Sequence, residues 1–211
     1  MGIGHNIRQF EQESLNKVGW RYDGLNWCEL GNQKYHVEKG RDIPSKQLYE
    51  SLGVNHISID LNGLDGAYPL DLEKPLPFEF LNQFDVVTNY GTAEHVNDQY
   101  ELFKNIHNIC KTGGIIVHVF PYAGHWPKHC RYYYTKRFVK GLSKTCKYPI
   151  LNCTVLNKRP RKLVAAALYK KYDAPFISKS DFNSISGVVD SGNLSRTGNY
   201  GHDSKSSAKL S

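Results

Sequence analysis

The sequence lacks the features that mark membrane-spanning and secreted proteins. No apolar run approaches the roughly 20 residues that a membrane helix requires, and residues 1–10 contain no apolar stretch of signal-peptide length. The five cysteines are odd in number and include no C-x-x-C pair, which disfavours a disulfide framework and a zinc finger. We therefore expect a cytoplasmic protein without a membrane partner, whose cysteines are mostly small buried residues.

Acidic residues are absent from residues 120–172, which carry 13 Lys and Arg. The whole chain has a net charge of +7, whereas residues 1–119 sum to −6, with 10 basic and 16 acidic residues. A basic segment of this kind either keeps a surface soluble or contacts a polyanion. Because phosphate contacts depend on charge geometry rather than on charge count, a nucleic-acid partner stays open as an alternative.

Few apolar residues follow Asn183, where Ser, Gly and Asn dominate, and this composition is typical of a flexible segment. The chain as a whole is 40% hydrophobic and 22% charged, which are ordinary values for a globular protein. We therefore predict one domain over residues 1–177 and a flexible Ser/Gly-rich tail over 178–211.

Short apolar strands alternate with helix-like stretches, a pattern that favours an α/β fold with a mostly parallel sheet. Strands are predicted over residues 25–30, 56–60, 67–72, 84–89, 115–120, 151–155 and 163–169. Helices are predicted over residues 6–18, 45–53, 97–110 and 135–143.

Polar side chains stand where these strands end. Glu29 closes the first strand, Asp60 the second, and Asp71 lies near the end of the third. Ligands of an open parallel sheet bind outside the carboxyl ends of the strands, so we expect these groups to share one site. A carboxylate after the second strand can accept both hydroxyls of a ribose, and Asp71 can accept from an exocyclic amine such as that of adenine. The arrangement predicts a site for a nucleoside-bearing, positively charged cofactor.

Residues 25–121 resemble the class I S-adenosylmethionine-dependent methyltransferases, especially the small methyltransferase-domain type. Five segments follow the family's order: Cys-Glu-Leu-Gly (28–31), Ser-Ile-Asp (58–60), Leu-Asp-Leu (70–72), Phe-Asp-Val-Val (84–87) and Lys-Thr-Gly-Gly (111–114). The resemblance implies a Rossmann-like, doubly wound, mostly parallel seven-stranded sheet with an antiparallel C-terminal strand. It also implies S-adenosylmethionine as the cofactor.

The resemblance further implies which residues bind the cofactor. Asp60 matches the ribose-binding acid, Asp71 lies in the adenine-binding segment, and Gly31 lies in the first motif at the methionine end. The implied cofactor-binding residues are Glu29, Gly31, Asn32, Asp60, Leu61, Asp71, Leu72, Asn89 and Tyr90. The chain departs from the family after Gly31, where Asn32 and Gln33 stand in place of further glycines, and this departure points to an altered cofactor pose or a weakened site.

Methyl transfer is an in-line displacement, so a base is needed only when the acceptor must lose a proton. Glu94, His95 and His125 are the candidate catalytic residues near the strand ends, although Glu94 also suits a helix entry and His95 a structural hydrogen bond. His125 and His129 are four residues apart beside Cys130. Pro127 makes a helix there doubtful and zinc takes three or four protein ligands, so we predict no metal site.

The predicted function is methyl transfer from S-adenosylmethionine to an oxygen or nitrogen of a polar acceptor. A small molecule or a glycan is the expected acceptor, and the basic segment 120–172 is compatible with an anionic one. The alternative is a non-catalytic nucleic-acid-binding module on the same fold, because fold alone does not establish activity. A nicotinamide-dependent oxidoreductase is disfavoured since no G-x-G-x-x-G follows the first strand.

Overall fold

The computed structural model of the protein describes residues 2–38, 41–158 and 161–192. Its helices are α1 His5–Asn16, α2 Ser45–Ser51, α3 Gln99–Ile109, α4 Lys136–Cys146 and α5 Lys179–Asn183. Its strands are β1 Asn26–Leu30, β2 Lys34–Glu38, β3 Arg41–Pro44, β4 Asn55–Ile59, β5 Phe84–Tyr90, β6 Cys110–Pro121, β7 Tyr132–Tyr134, β8 Ile150–Lys158, β9 Arg161–Tyr169 and β10 Val188–Asp190.

Six of these strands form the central sheet, in the order β4-β1-β5-β6-β9-β8. The first four are parallel, whereas β9 runs antiparallel to both β6 and β8. The predicted doubly wound, mostly parallel sheet with an antiparallel C-terminal strand is therefore confirmed. Its parallel strands β4, β1 and β5 end side by side, which brings the residues after each of them to one edge.

Apolar side chains cover both faces of the sheet, because successive residues of each strand point to opposite sides. In β1, Cys28 and Leu30 pack on the side of α3, α4 and α5, whereas Trp27 packs on the side of α1 and α2. The helices that flank the sheet are therefore divided between its two faces. The carboxyl ends of the strands stay accessible at the edge between these two layers.

The sheet has six strands in the described residues, whereas seven were expected. Residues 67–72 were predicted as a strand, but they contribute only an isolated parallel bridge between Tyr68 and Ile59. The pairing does not extend because the backbone N–H of Leu70, the next donor that would face β4, donates to Tyr68 O at 2.9 Å instead.

Two elements fall inside the segment predicted as a flexible tail. Helix α5 buries Phe182 in the core, and β10 pairs antiparallel with β7. Regular structure therefore continues into the segment predicted as a tail, at least to Asp190. The remainder of the predicted tail lies outside the described residues.

Strands β2 and β3 form a two-stranded antiparallel hairpin that sequence patterns did not predict. The N-terminal segment joins it, since Ile3 N donates to Lys34 O at 2.8 Å and His36 N donates to Ile3 O at 2.9 Å. This hairpin stands between β1 and α2, where it covers one side of the strand ends. None of the helices in the described residues has the length and apolarity that a membrane crossing requires.

Candidate functional site

A cavity of about 310 Å³ opens at the carboxyl ends of β1, β4 and β5. The size is within the range of small-molecule sites, roughly 300–1,000 Å³. Its walls come from the turn after each of these strands, from the β2–β3 hairpin and from residues 70–73. The residues that line it are Gly2, Gly31–Lys34, His36, Asp42, Ile59–Asn62, Leu70–Glu73, Gly91, Thr92, His95 and Val96.

Gly31 forms the floor of the cavity at the end of β1. Its φ is +85°, a left-handed conformation that favours glycine. A Cβ at this position would lie 2.4 Å from Thr92 Oγ1 and 2.6 Å from Gln33 Nε2, so no side chain fits without movement. The missing side chain therefore lets Thr92 and Gln33 pack against the end of β1, although the later glycines of the family's motif are absent.

Asp60 holds the turn after β4 and faces the same cavity. Its Oδ2 accepts from the backbone N–H of Asn32 at 2.8 Å, and its Oδ1 accepts from that of Asn62 at 3.0 Å. Each carboxylate oxygen has further lone-pair capacity. The side chain is half-buried, so these lone pairs remain accessible from the cavity. Asp60 is therefore both fixed in place and able to accept further hydrogen bonds.

The wall formed by residues 70–73 and Leu61 combines a carboxylate with apolar side chains. Asp71 Oδ1 accepts from the backbone N–H of Glu73 at 3.0 Å, which fixes the carboxylate in a turn. Leu72 is buried behind it, while Leu61 is 40% exposed and lines the cavity from the side of Asp60. The wall therefore offers apolar surface with a polar group beside it, which suits a planar base with an exocyclic amine.

Glu29 lies beneath the cavity and is not among its lining residues. The side chain is fully buried, and its Oε2 accepts from Ser45 Oγ at 2.5 Å. The same oxygen lies 3.7 Å from Nε2 of the buried His56. Glu29 thus joins β1 to the start of α2, in a position to support the floor of the site rather than to touch a ligand.

Asn89 and Tyr90, at the end of β5, are also buried away from the cavity. Asn89 Oδ1 accepts from the backbone N–H of Ala93 at 3.0 Å, and its amide bonds to Nδ1 of His118 at 3.2 Å. Tyr90 donates to Glu11 on the opposite face of the sheet. The next two residues, Gly91 and Thr92, line the cavity in their place.

Burial of His118 predicts a loss of stability in acid. The ring is fully buried, and this burial lowers the pKa of His118 to about 3. An unfolded histidine titrates at about 6.5, so the stabilisation is complete above that pH and is lost as the pH falls towards 3. Between pH 7.5 and pH 5 this one residue should cost about 2 kcal/mol of unfolding free energy. Urea unfolding of the wild type and of His118→Gln across this range measures the difference. If the unfolding free energy changed equally with pH in the two proteins, the loss in acid would not come from His118.

Three titratable side chains meet beside the cavity: Glu94, His95 and His129. One ligand atom from each lies within 4.8 Å of those from the other two. Burial raises the pKa of Glu94 to about 7 and lowers the pKa of His95 to about 3. Burial also lowers the pKa of His129 to about 4, so both rings are neutral at neutral pH. His95 is the member that lines the cavity.

His125, the third candidate catalytic residue, lies outside this cluster and outside the set of cavity-lining residues. Its ring makes an edge contact with Tyr122, with ring centroids 5.5 Å apart. His129 instead lies beside two residues that are 34 and 35 positions earlier in the chain. Such a separation leaves no spacing motif for sequence reasoning to detect.

The hairpin contributes cavity residues that sequence reasoning missed. His36 Nδ1 and Asp42 Oδ1 are 2.7 Å apart, and both residues line the cavity. Alternation of apolar and polar residues over 34–38, followed by Gly40, is the signal that could have identified the hairpin. Asp42 thus adds a further acidic residue to a lining that already contains Asp60, Asp71 and Glu73.

Comparison with known families and structures tests the family resemblance that the sequence suggested. The family model described as a methyltransferase domain matches residues 54–118, which contain β4, β5 and the turns that carry Asp60 and His95. No curated protein matches the chain in sequence. The implied resemblance to class I S-adenosylmethionine-dependent methyltransferases is confirmed at the level of this domain and of the fold.

Three solved structures illustrate the shared fold. The 1,6-didemethyltoxoflavin-N1-methyltransferase of Burkholderia thailandensis, with bound 1,6-didemethyltoxoflavin and S-adenosylhomocysteine, is 10% identical, with 78% of each chain covered and a TM-score of 0.56. The [4+2]-cyclase SpnF is 13% identical, with 79% of this chain and 81% of SpnF covered and a TM-score of 0.58. Phosphoethanolamine N-methyltransferase 2 of Haemonchus contortus, in complex with S-adenosyl-L-methionine, is 14% identical, with 77% and 53% covered and a TM-score of 0.53. At these identities the likeness concerns the fold, and the cyclase illustrates that this fold does not fix the reaction.

Proposed function

The chain has the fold of the class I S-adenosylmethionine-dependent methyltransferases, and from that premise we propose that it transfers the methyl group of S-adenosylmethionine to an oxygen or nitrogen of a polar acceptor. One observation carries this proposal. The cavity lies at the carboxyl ends of β1, β4 and β5, and the glycine turn at Gly31 and the carboxylate of Asp60 both line it. A nucleoside with a charged tail matches that combination.

The residues of the cavity fit each part of this cofactor. Asp60 would accept from the ribose hydroxyls, since both of its oxygens keep free lone pairs after the two backbone contacts. Leu61 and Leu72 would flank the adenine, with Asp71 beside its exocyclic amine. Asp42 would attract the ammonium group at the methionine end. Of the nine predicted cofactor-binding residues, Glu29, Asn89 and Tyr90 would act by supporting these walls rather than by contact.

When bound, the cofactor supplies an electrophilic methyl group on a sulfonium, so the protein mainly has to position the acceptor. His95 lines the cavity, and burial keeps its ring neutral at neutral pH. A neutral imidazole at this position can orient an acceptor hydroxyl or amine by a hydrogen bond. Val96 next to it provides apolar surface that helps to exclude water.

A nucleic-acid-binding module without catalysis is not favoured. Two of the 13 cations of residues 120–172 are already engaged in polar contacts within the protein. Lys170 is buried and donates to the carbonyl oxygens of His107 and Cys110, each at 2.8 Å. Arg131 pairs with Asp190 at 2.9 Å. Fewer cations of the basic segment are therefore available to contact a polyanion than its charge count implies. The segment remains compatible with an anionic acceptor.

The proposed function predicts binding of S-adenosylhomocysteine to the full chain. We expect calorimetric titration to give one site per chain, and no comparable binding of NAD, which shares the adenosine but lacks the methionine end. Mass spectrometry with S-adenosylmethionine and a panel of hydroxyl and amine acceptors should then reveal a mass increase of one methylene. A folded protein that binds neither S-adenosylmethionine nor S-adenosylhomocysteine would overturn the proposal.

A further inference from the structure

We propose that Glu94, His95 and His129 bind one divalent transition-metal ion at the edge of the cavity. Glu94 and His95 stand on the turn after β5, and His129 on the loop between β6 and β7. One ligand atom of each lies within 4.8 Å of those of the other two. The two rings are oriented edge to face, with centroids 5.4 Å apart and an interplanar angle of 74°. Two imidazoles and one carboxylate form a donor set that catalytic zinc sites use with one position left open.

Glu94 is the residue that points most strongly to a cation. Its side chain is fully buried, and neither carboxylate oxygen has a hydrogen-bond partner among the described residues. Buried carboxylates are normally paired, hydrogen-bonded or bound to a metal, because desolvation of an isolated charge is costly. A metal ion between Glu94 and the two histidines would satisfy this group directly.

The backbone on both sides of the cluster is held independently of any metal. Asn89 Oδ1 accepts from the backbone N–H of Ala93 at 3.0 Å and so fixes the turn that carries two of the ligands. The hydroxyl of Tyr133 accepts from the backbone N–H of His129 at 3.2 Å and from that of Cys130 at 3.3 Å. The ligand-bearing segments are therefore positioned in advance, which lowers the entropic cost of assembling a site.

Closing the site requires the three ligand atoms to move closer together. Metal–ligand distances of about 2.1 Å place neighbouring ligand atoms roughly 3–3.4 Å apart. The atoms of Glu94, His95 and His129 must therefore approach one another from 4.8 Å or less.

The donor set also selects the class of ion. Imidazole ligands suit zinc, iron, copper and nickel, whereas magnesium prefers oxygen ligands and retains its water. Because His95 also lines the cavity, an open coordination position would lie near the acceptor. There the ion would polarise an acceptor oxygen and ease loss of its proton. This role rests on the proposed function, whereas metal binding itself does not.

Metal binding can be measured on the full chain without the cofactor. After treatment with a chelator, titration with Zn²⁺ should give one site per chain. Titration with Co²⁺ should produce visible d–d absorption with no sulfur-to-cobalt charge-transfer band, because the site contains no cysteine. A charge-transfer band would place the ion on Cys130 or another thiol and would overturn the assignment.

Variants of the ligands provide the second test. Glu94→Gln and His129→Gln should each weaken Zn²⁺ binding by at least about tenfold, since loss of even an outer-shell partner costs about 10–100-fold. His125→Gln, four residues away in the same loop and outside the cluster, should bind Zn²⁺ like the wild type. Thermal unfolding of the metal-free proteins establishes that each variant is folded. Should Glu94→Gln fail to fold, the comparison of His129→Gln with His125→Gln still decides the question.

The outcomes separate this inference from the proposed function. A wild-type chain that binds no Zn²⁺ or Co²⁺ at millimolar concentration would overturn the metal site, whatever S-adenosylhomocysteine does. Equal Zn²⁺ affinity in the wild type and both ligand variants would do the same. Zn²⁺ binding that depends on Glu94 and His129 supports the metal site even in a protein that proves unable to bind the cofactor.

Discussion

Replacement of Asp60 by alanine should abolish the thermal stabilisation that S-adenosylhomocysteine gives to the wild type. A ligand at 100 times its Kd stabilises a protein by about 2.7 kcal/mol, which corresponds to roughly 5–10 °C in Tm for a domain of this size. Asp60 would make two charge-assisted hydrogen bonds to the ribose, each contributing about 1.5–3 kcal/mol. Their loss weakens binding by at least about a hundredfold, so the shift in Tm should fall close to zero. Differential scanning fluorimetry with increasing ligand measures this directly.

The control for this experiment must account for the structural contacts of Asp60. Its carboxylate also accepts from the backbone N–H groups of Asn32 and Asn62, so Asp60→Ala will loosen the turn as well. Asp65→Asn is a matched control, because Asp65 accepts from the Asn32 side chain at 2.9 Å in the same turn but does not line the cavity. We expect Asp65→Asn to keep the ligand-induced shift. A full shift in Asp60→Ala would place the ribose elsewhere and remove the basis of the proposed binding mode.

The parts of this site that lie directly after strands could be predicted from sequence. Asp60 and Asp71 follow apolar runs, and parallel strands bring their carboxyl ends to one edge. Gly31 is recognisable for the same reason, since a glycine after a buried strand marks a close backbone approach. All three line the cavity. Such residues are predictable because strand direction alone determines where they lie.

The residues within strands could not be assigned in this way. Asn89 and Tyr90 end β5, and their side chains point to opposite faces of the sheet, one towards His118 and the other towards Glu11. The turn that follows, which begins at Gly91, lines the cavity instead. A shift of one or two residues in the end of a strand decides between a cavity wall and a buried contact, and sequence patterns do not locate strand ends that closely.

The other site residues were missed because they come together only through contacts between distant parts of the chain. The β2–β3 hairpin interrupts the expected passage from β1 to a helix, so Asp42 and His36 reach the cavity from an element that the family resemblance does not contain. Glu94 and His129 meet only because the turn after β5 packs against the loop after β6. Neither proximity is encoded in a local motif, so both require coordinates.

Replacement of Glu11 by alanine should be the most destabilising single change on the face of the sheet that α1 and α2 cover. Glu11 is fully buried in α1 and forms an ion pair with Arg8. Its carboxylate also accepts from the hydroxyls of Tyr22 at 2.7 Å, Tyr49 at 2.6 Å and Tyr90 at 2.5 Å. Removing it leaves the guanidinium of Arg8 without its counter-ion and three hydroxyls without their acceptor, and the loss of one partner of a buried ion pair costs about 3–5 kcal/mol. Chemical denaturation should report this loss, together with a fall in Tm of about 10 °C or more.

Glu13→Ala provides the matched control, because Glu13 lies on the exposed side of α1 and contacts only Gln9, at 2.9 Å, among the described hydrogen bonds. We expect its effect to stay within about 0.5 kcal/mol. The network around Glu11 fastens α1 to Tyr90, the last residue of β5, immediately before the turn that lines the cavity. Glu11→Ala should therefore weaken S-adenosylhomocysteine binding as well as lowering stability. An unfolding free energy equal to that of Glu13→Ala would mean that the four partners of Glu11 find other acceptors, and that the end of β5 is held by the sheet alone.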